Sequence, residues 1–284
     1  MGVYVGLDIG GTKFMAAAAN EAGDVLARAM EPAPEDLEEG LQLLDSMILQ
    51  VAGRKRILGM GAAIGGPLDW QTGVVSPLHQ PQWREVPLKI RMEDRYHCPF
   101  WVDVDTNIAA LGEYYLGKVQ SNRLLYMTIS TGIGGGFLVD GKIYRGYNGA
   151  HPEVGHHSIA YHCMKPEGLW CECGAPDCLE ALVSGNGIRR IYGKPAEALN
   201  AEEWSEVAYN LGQGLRNIAA FYAPGVIVLG GGVAVGGGEK LLDQARQVME
   251  ANLRLVPAPA VQLSQLGYDT ALMGALTAAF RGIQ

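Results

Sequence analysis

A glycine turn near the start of the chain, Asp8–Lys13 with the sequence Asp-Ile-Gly-Gly-Thr-Lys, separates two apolar runs. Two strands joined by such a turn present successive backbone N–H groups on one side with no Cβ in the way, which makes a concave site for phosphate. Thr12 adds a hydroxyl group, Lys13 adds a cation, and Asp8 is able to hold a magnesium ion or the water around it. An ordinary tight hairpin with glycines at positive φ is the alternative for this hexapeptide.

The chain repeats this kind of turn much later, at Ser130–Gly136 with the sequence Ser-Thr-Gly-Ile-Gly-Gly-Gly, again between apolar runs. Two phosphate-type turns at the starts of two similar halves favour a duplicated architecture with a nucleotide between the halves. A further glycine segment, Gly65–Asp69, follows a predicted strand. Its glycines allow a ligand to approach the backbone closely, and a plain turn is the alternative.

The composition is that of a globular protein, because 48% of the 284 residues are hydrophobic and 18% are charged. The net charge of −8 argues against nucleic acid as a main partner, since a phosphate backbone needs a basic face. Apolar runs stay shorter than the roughly 18 residues of a membrane helix. The first strand begins at about Val3, which leaves no room for a signal peptide. We therefore expect a cytoplasmic protein without a membrane partner.

The pattern of apolar residues predicts strand meanders that alternate with helices, which is typical of an α/β fold with mixed sheets. Strands are predicted over residues 3–9, 13–20, 24–31, 57–64, 100–104, 123–130, 134–139, 142–144, 226–229 and 260–266. Helices are predicted over residues 35–52, 88–96, 105–116, 178–183, 201–222, 239–253 and 270–280.

Asp105 stands where a predicted strand meets a predicted helix, in the sequence Val-Asp-Val-Asp-Thr-Asn over residues 102–107. A carboxylate at the end of a strand is well placed to face a crevice, where open α/β sheets bind ligands. The alternative is that Asp105 caps the helix from Thr106 onward, since aspartate is a common N-cap residue.

A cluster of metal-binding residue types follows in the second half of the chain. His156, Cys171, Cys173 and Cys178 supply one imidazole and three thiolates, which make a closed tetrahedral zinc site of a structural kind. The odd number of cysteines, five, suits a reducing compartment and a metal better than disulfides. Buried thiols without a ligand are the alternative.

Two carboxylates, Glu153 and Glu180, flank the predicted zinc ligands but are not needed by the metal. They are able to accept hydrogen bonds from sugar hydroxyl groups on the face that the zinc loop supports. Solvated surface glutamates are the alternative.

Together these motifs resemble the ROK family (repressors, open reading frames and kinases). The family contains ATP-dependent sugar kinases, such as bacterial glucokinase and N-acetylmannosamine kinase, and sugar-responsive repressors. The resemblance runs over nearly the whole chain and keeps the family's order of motifs. It rests on Asp8–Lys13, on Asp105–Glu113, on Thr131–Gly136 and on Glu153–Glu180 with its Gly-His and Cys-x-Cys-Gly-x₃-Cys-Leu-Glu patterns.

The resemblance implies an actin-like (ribonuclease H-like, duplicated) α/β fold of two domains with a cleft between them, usually as a homodimer. The smaller N-terminal domain would cover residues 1–117 and be joined by the C-terminal helix, residues 270–284. The larger C-terminal domain would cover residues 118–269 and carry the zinc-binding loop. The implied ligands are a sugar, ATP, Mg²⁺ and a structural Zn²⁺.

The resemblance also implies a role for each matching residue. Asp105 would be the base on the sugar hydroxyl group. The sugar would be contacted by Gly66, Asn107, Glu153, His156 and Glu180. The phosphates would be surrounded by Asp8, Gly10, Gly11, Thr12, Lys13, Thr131, Gly132 and Gly134, with Gly230 and Gly231 near the adenosine. Zinc would be held by His156, Cys171, Cys173 and Cys178.

Two departures from the family pattern bear on the sugar. The family usually has asparagine immediately before the catalytic aspartate, whereas this chain has Val104. Fourteen residues lie between His156 and Cys171, several more than usual, and they include His157, His162 and Cys163. The first departure concerns which sugar is bound, and the second concerns the wall of the sugar pocket.

The sequence thus predicts an ATP-dependent kinase for a hexose of the glucose type, with Asp105 as general base. An N-acylhexosamine kinase is the alternative within the same class. A sugar-sensing regulator is the alternative from another class, but such repressors carry a helix-turn-helix domain ahead of the first glycine turn. Only seven residues precede Asp8 and the charge is acidic, which favours the enzyme.

Overall fold

The computed structural model describes residues 2–117, 119 and 121–283. The chain divides into two compact units. The first unit consists of Met1–Lys118, Tyr147–Gly149 and Asp269–Gln284. The second unit consists of Val119–Gly146 and Ala150–Tyr268.

The first unit contains a main sheet and a small one. Its strands are β1 (Gly2–Ile9), β2 (Lys13–Ala19), β3 (Val25–Pro32), β4 (Arg56–Ile64), β5 (Leu68–Asp69), β6 (Val74–Val75), β7 (Val86–Pro87) and β8 (Phe100–Val104). The main sheet has the order β3-β2-β1-β4-β8, in which β1, β2 and β3 form an antiparallel meander and β1, β4 and β8 run parallel. Strands β5, β6 and β7 form the small antiparallel sheet.

Three helices belong to this part of the chain: α1 (Leu37–Ala52), α2 (Leu88–Tyr96) and α3 (Asp105–Tyr115). Asp36 caps α1 through a hydrogen bond from the backbone N–H of Glu39. The apolar face of α1 is buried in the core of the first unit together with the inward side chains of β1 and β2.

The second unit repeats the plan with another five-stranded mixed sheet. Its strands are β9 (Arg123–Ile129), β10 (Ile133–Val139), β11 (Lys142–Ile143), β12 (Val226–Gly230) and β13 (Ala260–Leu263), in the order β11-β10-β9-β12-β13. Its helices are α4 (Leu179–Val183), α5 (Gly185–Tyr192), α6 (Ala201–Tyr222) and α7 (Gly232–Ala251). Helices α6 and α7 contribute much of the core that covers this sheet.

The last helix, α8 (Thr270–Arg281), returns to the first unit and packs on β1, β4 and α3. Helix α8 can pack this closely because β1 and β4 have glycines at the contact. A Cβ on Gly6 would lie 2.7 Å from the backbone nitrogen of Leu276, and one on Gly59 would lie 2.8 Å from the carbonyl oxygen of Ala279. Any larger residue would push the helix away from the sheet.

The predicted α/β fold with mixed sheets is confirmed, but several elements differ from the prediction. The short strands β5, β6 and β7 were not predicted. Helix α5 was not predicted, because its two glycines weaken the helical pattern of the sequence. Ser184 caps this helix by accepting a hydrogen bond from the backbone N–H of Gly187. Helix α7 begins at Gly232 and not at Glu239, with a non-helical residue, Gly238, inside it. Strand β13 ends at Leu263 and not at Leu266, because it pairs with only four residues of β12.

Candidate catalytic residues and metal centre

The first glycine turn joins β1 to β2 in the first unit. A hydrogen bond of 3.1 Å from the backbone N–H of Gly10 to the carbonyl oxygen of Lys13 closes the turn. Gly11 and Thr12 are exposed at its tip. A Cβ on Gly11 would lie 3.0 Å from the Cβ of His79, so a larger residue would crowd the turn. The turn therefore offers the accessible backbone that a phosphate site needs.

Asp8 lies at the end of β1, just before this turn, and is half-buried. Burial, and next the negative charge of Asp105, raise the pKa of Asp8 from 3.8 to about 7, while the Lys13 cation acts in the opposite direction. The two carboxylates are therefore close enough to repel each other. Carboxylate oxygens are the ligands that Mg²⁺ prefers, so this donor set fits the predicted ion.

Asp105 is the first residue of α3, and it stands out from its surroundings by exposure. In the stretch 102–113, all of which the structure describes, every residue is buried except Asp105. Its Oδ1 atom accepts a hydrogen bond of 2.7 Å from the backbone N–H of Thr106. The N-cap position belongs to Val104, whose side chain makes no cap hydrogen bond. Asp105 thus presents a carboxylate to its surroundings from inside the first turn of a helix.

Asn107 lies within the same buried corner and is 1% exposed. Its Nδ2 atom donates a hydrogen bond of 3.0 Å to Oδ1 of Asp103, which is also 1% exposed. Val104, the residue that departs from the family pattern, is buried next to them.

The loop after β4 carries Gly66, another predicted sugar contact. The carbonyl oxygen of Gly66 accepts a hydrogen bond of 2.9 Å from the backbone N–H of Leu78, and that of Pro67 accepts one of 2.9 Å from Ser76. These two bonds hold the loop against the segment that follows β6.

In the second unit, the structure brings together the four predicted zinc ligands. One ligand atom from each of His156, Cys171, Cys173 and Cys178 lies within 4.8 Å of the others. The Sγ atom of Cys171 is 3.7 Å from Nδ1 of His156, and the Sγ atoms of Cys173 and Cys178 are 3.8 Å apart. A tetrahedral ion with Zn–S bonds near 2.3 Å places neighbouring sulfurs about 3.8 Å apart. The four side chains therefore have the spacing of a closed zinc site.

The charge state of the thiols in this cluster depends on whether a cation is bound. Burial raises the pKa of Cys171 to about 12, so the thiol is neutral without a nearby positive charge. Zinc binds thiolates and displaces their protons. All five cysteines of the chain are free.

Glu153 and Glu180 both lie near the same nitrogen of the His156 imidazole. The Nε2 atom of His156 is 3.9 Å from Oε2 of Glu153 and 3.9 Å from Oε2 of Glu180. The opposite ring nitrogen faces Cys171. Three of the predicted sugar contacts of this unit are therefore side by side, with the metal cluster behind the imidazole.

The second glycine turn packs directly on these residues. A Cβ on Gly132 would lie 2.8 Å from Oε2 of Glu180, and one on Gly155 would lie 2.7 Å from the carbonyl oxygen of Ile133. A Cβ on Gly135 would lie 2.5 Å from Cγ2 of Val154. The glycines of this segment are thus required for close packing, in addition to any role with phosphate.

Gly230 and Gly231 lie between β12 and α7. The tyrosine hydroxyl of Tyr126 leaves no room for a Cβ on Gly230. Gly231 has a φ of 86° and is the N-cap residue of α7. The predicted adenosine contacts are therefore at the N-terminus of a helix, where backbone N–H groups are unpaired.

The long segment between the histidine and the first cysteine of the metal cluster lies along α6. Asn210 holds it by accepting a hydrogen bond of 2.9 Å from the backbone N–H of His162 and donating one of 2.8 Å to its carbonyl oxygen. The ring of His162 stacks on Tyr209 at 3.8 Å, and Glu206 accepts a hydrogen bond from the backbone N–H of Met164. The extra residues are therefore fixed on α6.

Two groups of residues were missed at the level of the sequence. Asp103 was not singled out, because it ends a strand while Asn107 lies in the helix that follows, so no periodic pattern relates the two. The polar side chains of α6 that hold the long segment were also missed, although they recur at helical spacing. In both groups the polar side chain bonds within the fold, and spacing alone does not show its partner.

Comparison with known proteins identifies the family. A sequence profile described as the ROK family matches residues 4–281. The chain therefore belongs to the ROK family, as the motifs indicated.

Relatives and solved structures support a sugar kinase. The chain is 31% identical to a glucokinase of Halalkalibacterium halodurans over 95% of this chain and 93% of that protein. It resembles a ROK hexokinase from Thermus thermophilus with a TM-score of 0.84 and 30% identity, over 98% of each chain. It also resembles a ROK family glucokinase from Streptomyces griseus, solved in complex with glucose and AMPPNP, with a TM-score of 0.80 and 28% identity, over 99% of this chain and 100% of that one.

Across the described part of the chain, no helix combines the length and the apolar character needed to cross a membrane.

Proposed function

We propose that this protein is an ATP-dependent kinase that transfers the γ-phosphoryl group of ATP to a hydroxyl group of a hexose of the glucose type. The observation that carries the proposal is the exposed carboxylate of Asp105 in an otherwise buried strand–helix corner, close to Asp8 and the first glycine turn. A carboxylate that faces outward from such a corner suits a general base, because it can reach a bound hydroxyl group.

Phosphoryl transfer depends mostly on positioning and on electrostatic stabilisation of the phosphates. Under the proposal, the sugar oxygen attacks the γ-phosphorus while the bond from that phosphorus to the β,γ-bridging oxygen breaks, and ADP leaves. Asp105 accepts the proton of the sugar hydroxyl group in this step, a contribution of roughly 10²–10⁴ in rate. The backbone N–H groups of Gly11 and Thr12 and the Lys13 cation bind phosphate oxygens, since the N–H of Gly10 closes the turn. The turn Thr131–Gly134 has the same role, apart from the N–H of Ile133, which donates to Glu180. Asp8 would hold Mg²⁺, which supplies positive charge to the phosphates.

The proposed sugar contacts are Gly66, Glu153, His156 and Glu180. The two glutamates accept hydrogen bonds from sugar hydroxyl groups, and both lie near Nε2 of His156. A zinc ion on His156 and the three cysteines would hold the imidazole in place and has no step in the reaction. Gly230 and Gly231 are proposed to lie against the adenosine. For Asn107 we infer a different role below.

A coupled ADP-release assay tests the proposal. Purified protein with ATP and Mg²⁺ is assayed with a panel of hexoses and N-acylhexosamines, and we expect turnover with glucose or a close relative of it. Turnover confined to N-acylhexosamines would show that the substrate is an N-acylhexosamine and not a hexose of the glucose type. Sugar binding by calorimetry without ADP release from any sugar would show a sugar-binding regulator and contradict the proposal.

Asp105→Asn tests the role of the base separately. The amide is nearly isosteric but cannot accept the proton, so kcat should fall by roughly 10² or more while the KM for sugar changes little. Asp94→Asn, which removes the same charge from an exposed position of α2, is the matched control and should keep its kcat. If Asp105→Asn keeps a normal kcat, Asp105 only supports the start of α3.

A further inference from the structure

The corner between β8 and α3 contains a polar pair whose position is unusual. Asp103 and Asn107 stand two residues before and two residues after Asp105, and each is 1% exposed. Buried polar side chains lose their contacts with water, so a fold keeps them where they make defined hydrogen bonds. Here the hydrogen bond between them connects the end of the strand to the first turn of the helix.

The direction of the Asn107 amide follows from the chemistry of Asp103. The Oδ1 atom of Asp103 accepts hydrogen bonds from Nδ2 of Asn107 at 3.0 Å and from the backbone N–H of Val104 at 2.7 Å. This oxygen already accepts the backbone N–H of Val104 and therefore acts as an acceptor, so the NH₂ end of the amide faces Asp103. The Oδ1 atom of Asn107 is then turned away, and it is buried without a hydrogen-bond partner among the described residues.

The same geometry argues against direct contact between Asn107 and a sugar. A ligand hydroxyl group needs an accessible acceptor or donor, whereas the amide of Asn107 is enclosed and its donor end is already bonded to Asp103. What remains exposed in this corner is Asp105, between the two members of the pair. The pair is therefore placed to fix the angle at which the strand enters the helix, and with it the direction of Asp105.

We propose that the hydrogen bond between Asp103 and Asn107 is a positioning element for Asp105. This inference depends on the proposed function of Asp105 as the base. A base works only when its oxygen is held within hydrogen-bond reach of the proton that it removes, and a misplacement of about 1 Å can cost as much as 10²-fold in rate. Loss of the pair should therefore lower kcat and leave sugar binding nearly unchanged.

Single substitutions at the two positions test the proposal. Asn107→Asp places two carboxylates against each other and removes the hydrogen bond, so kcat should fall by roughly tenfold or more. Asp103→Asn keeps an acceptor oxygen opposite the amide, so kcat should stay close to that of the wild type.

The KM for sugar separates positioning from binding. We expect it to change by less than about threefold in every variant whose kcat falls, because the pair acts on Asp105 and not on the sugar. If Asn107→Asp does not fold, Asn107→Ala removes the hydrogen bond without adding a charge, and the same loss of kcat is expected. A normal kcat in Asn107→Ala, a kcat of Asp103→Asn as low as that of Asn107→Asp, or a loss confined to the KM for sugar would each overturn the proposal.

The outcome is distinguishable from failure of the proposed function. If Asp105→Asn keeps its kcat, the base itself is wrong and the pair has nothing to position. If Asp105→Asn loses kcat while the variants at 103 and 107 do not, only the positioning role is wrong.

Discussion

Glu180 connects the second glycine turn to the metal cluster through Ile133, whose backbone N–H donates a hydrogen bond of 2.7 Å to Oε2 of Glu180. The other carboxylate oxygen of Glu180, Oε1, is 3.5 Å from Sγ of Cys171. A predicted sugar contact is thus also a structural link within the second unit. Its substitution should affect stability as well as binding.

The pair of variants Glu180→Ala and Glu180→Gln separates these effects. Glu180→Ala leaves the buried N–H of Ile133 without its acceptor, which should cost about 1–3 kcal/mol in the free energy of unfolding. Glu180→Gln keeps an acceptor oxygen and should be close to the wild type in stability. Chemical denaturation measures both, with Glu172→Ala as the control because Glu172 is an exposed residue of the neighbouring metal-binding loop. Equal stability of Glu180→Ala and the wild type would contradict the structural link.

The raised pKa of Asp8 predicts a pH-dependent gain of stability in Asp8→Asn. The pKa in the folded protein, about 7, is above the ordinary value of 3.8, chiefly because of burial. The neutral Asp8 side chain stabilises the folded state relative to the unfolded chain, so its contribution to stability is complete at low pH. That contribution falls above pH 3.8 and is lost as the pH rises through about 7, where the buried carboxylate ionises. The variant stays neutral, so its gain in Tm over the wild type should be larger at pH 8 than at pH 5.

Asp94→Asn is the control for this comparison, because Asp94 is exposed and its substitution removes the same charge. Its effect on Tm should be small and nearly the same at both pH values. An equal gain for Asp8→Asn at pH 5 and pH 8 would show that Asp8 is ionised in the folded protein across this range.

The metal cluster predicts about one zinc per chain in the purified protein, bound tightly enough to contribute to folding. Cys173→Ser removes one ligand and should lower both the zinc content and the Tm. Cys163→Ser is the matched control, since Cys163 lies in the long segment and outside the cluster. Elemental analysis that finds no zinc in the native protein, or the same zinc content in both variants, would contradict the assignment.

The sequence predicted the metal cluster because the chemistry of its residues is selective by itself. An imidazole and three thiols within a short stretch have few alternative uses, and their spacing is local. The positions of the glycine turns and of Asp105 were also predictable from the local sequence, because each lies at a junction between two predictable elements.

Contacts between distant segments were not predictable in the same way. The bond between Ile133 and Glu180 spans 47 positions of the sequence, and those between His162 and Asn210 span 48. The local sequence pattern does not identify such partners, because they are brought together only when whole helices and strands pack. Helix α5 was missed for a local reason, since two glycines weaken its helix propensity and its caps alone define its ends.

The neighbouring glycines Gly231 and Gly232 give a prediction about the start of α7. Gly231 has a φ of 86°, and a Cβ there would collide with the backbone of Ile129. Because Ile129 is hydrogen-bonded within the sheet, it cannot easily move aside. Gly232 has no atom within 4 Å of the position that its Cβ would take, and it is the first residue of the helix.

Gly231→Ala should therefore lower the free energy of unfolding by at least about 1 kcal/mol, because alanine is strained at this φ and has no room. Gly232→Ala should be as stable as the wild type or more stable, since alanine has a higher helix propensity than glycine. If the adenosine lies against this segment, Gly232→Ala should also raise the KM for ATP without a loss of stability. Denaturation of the two variants side by side checks the first expectation, and equal stability would show that the turn before α7 does not require glycine at 231.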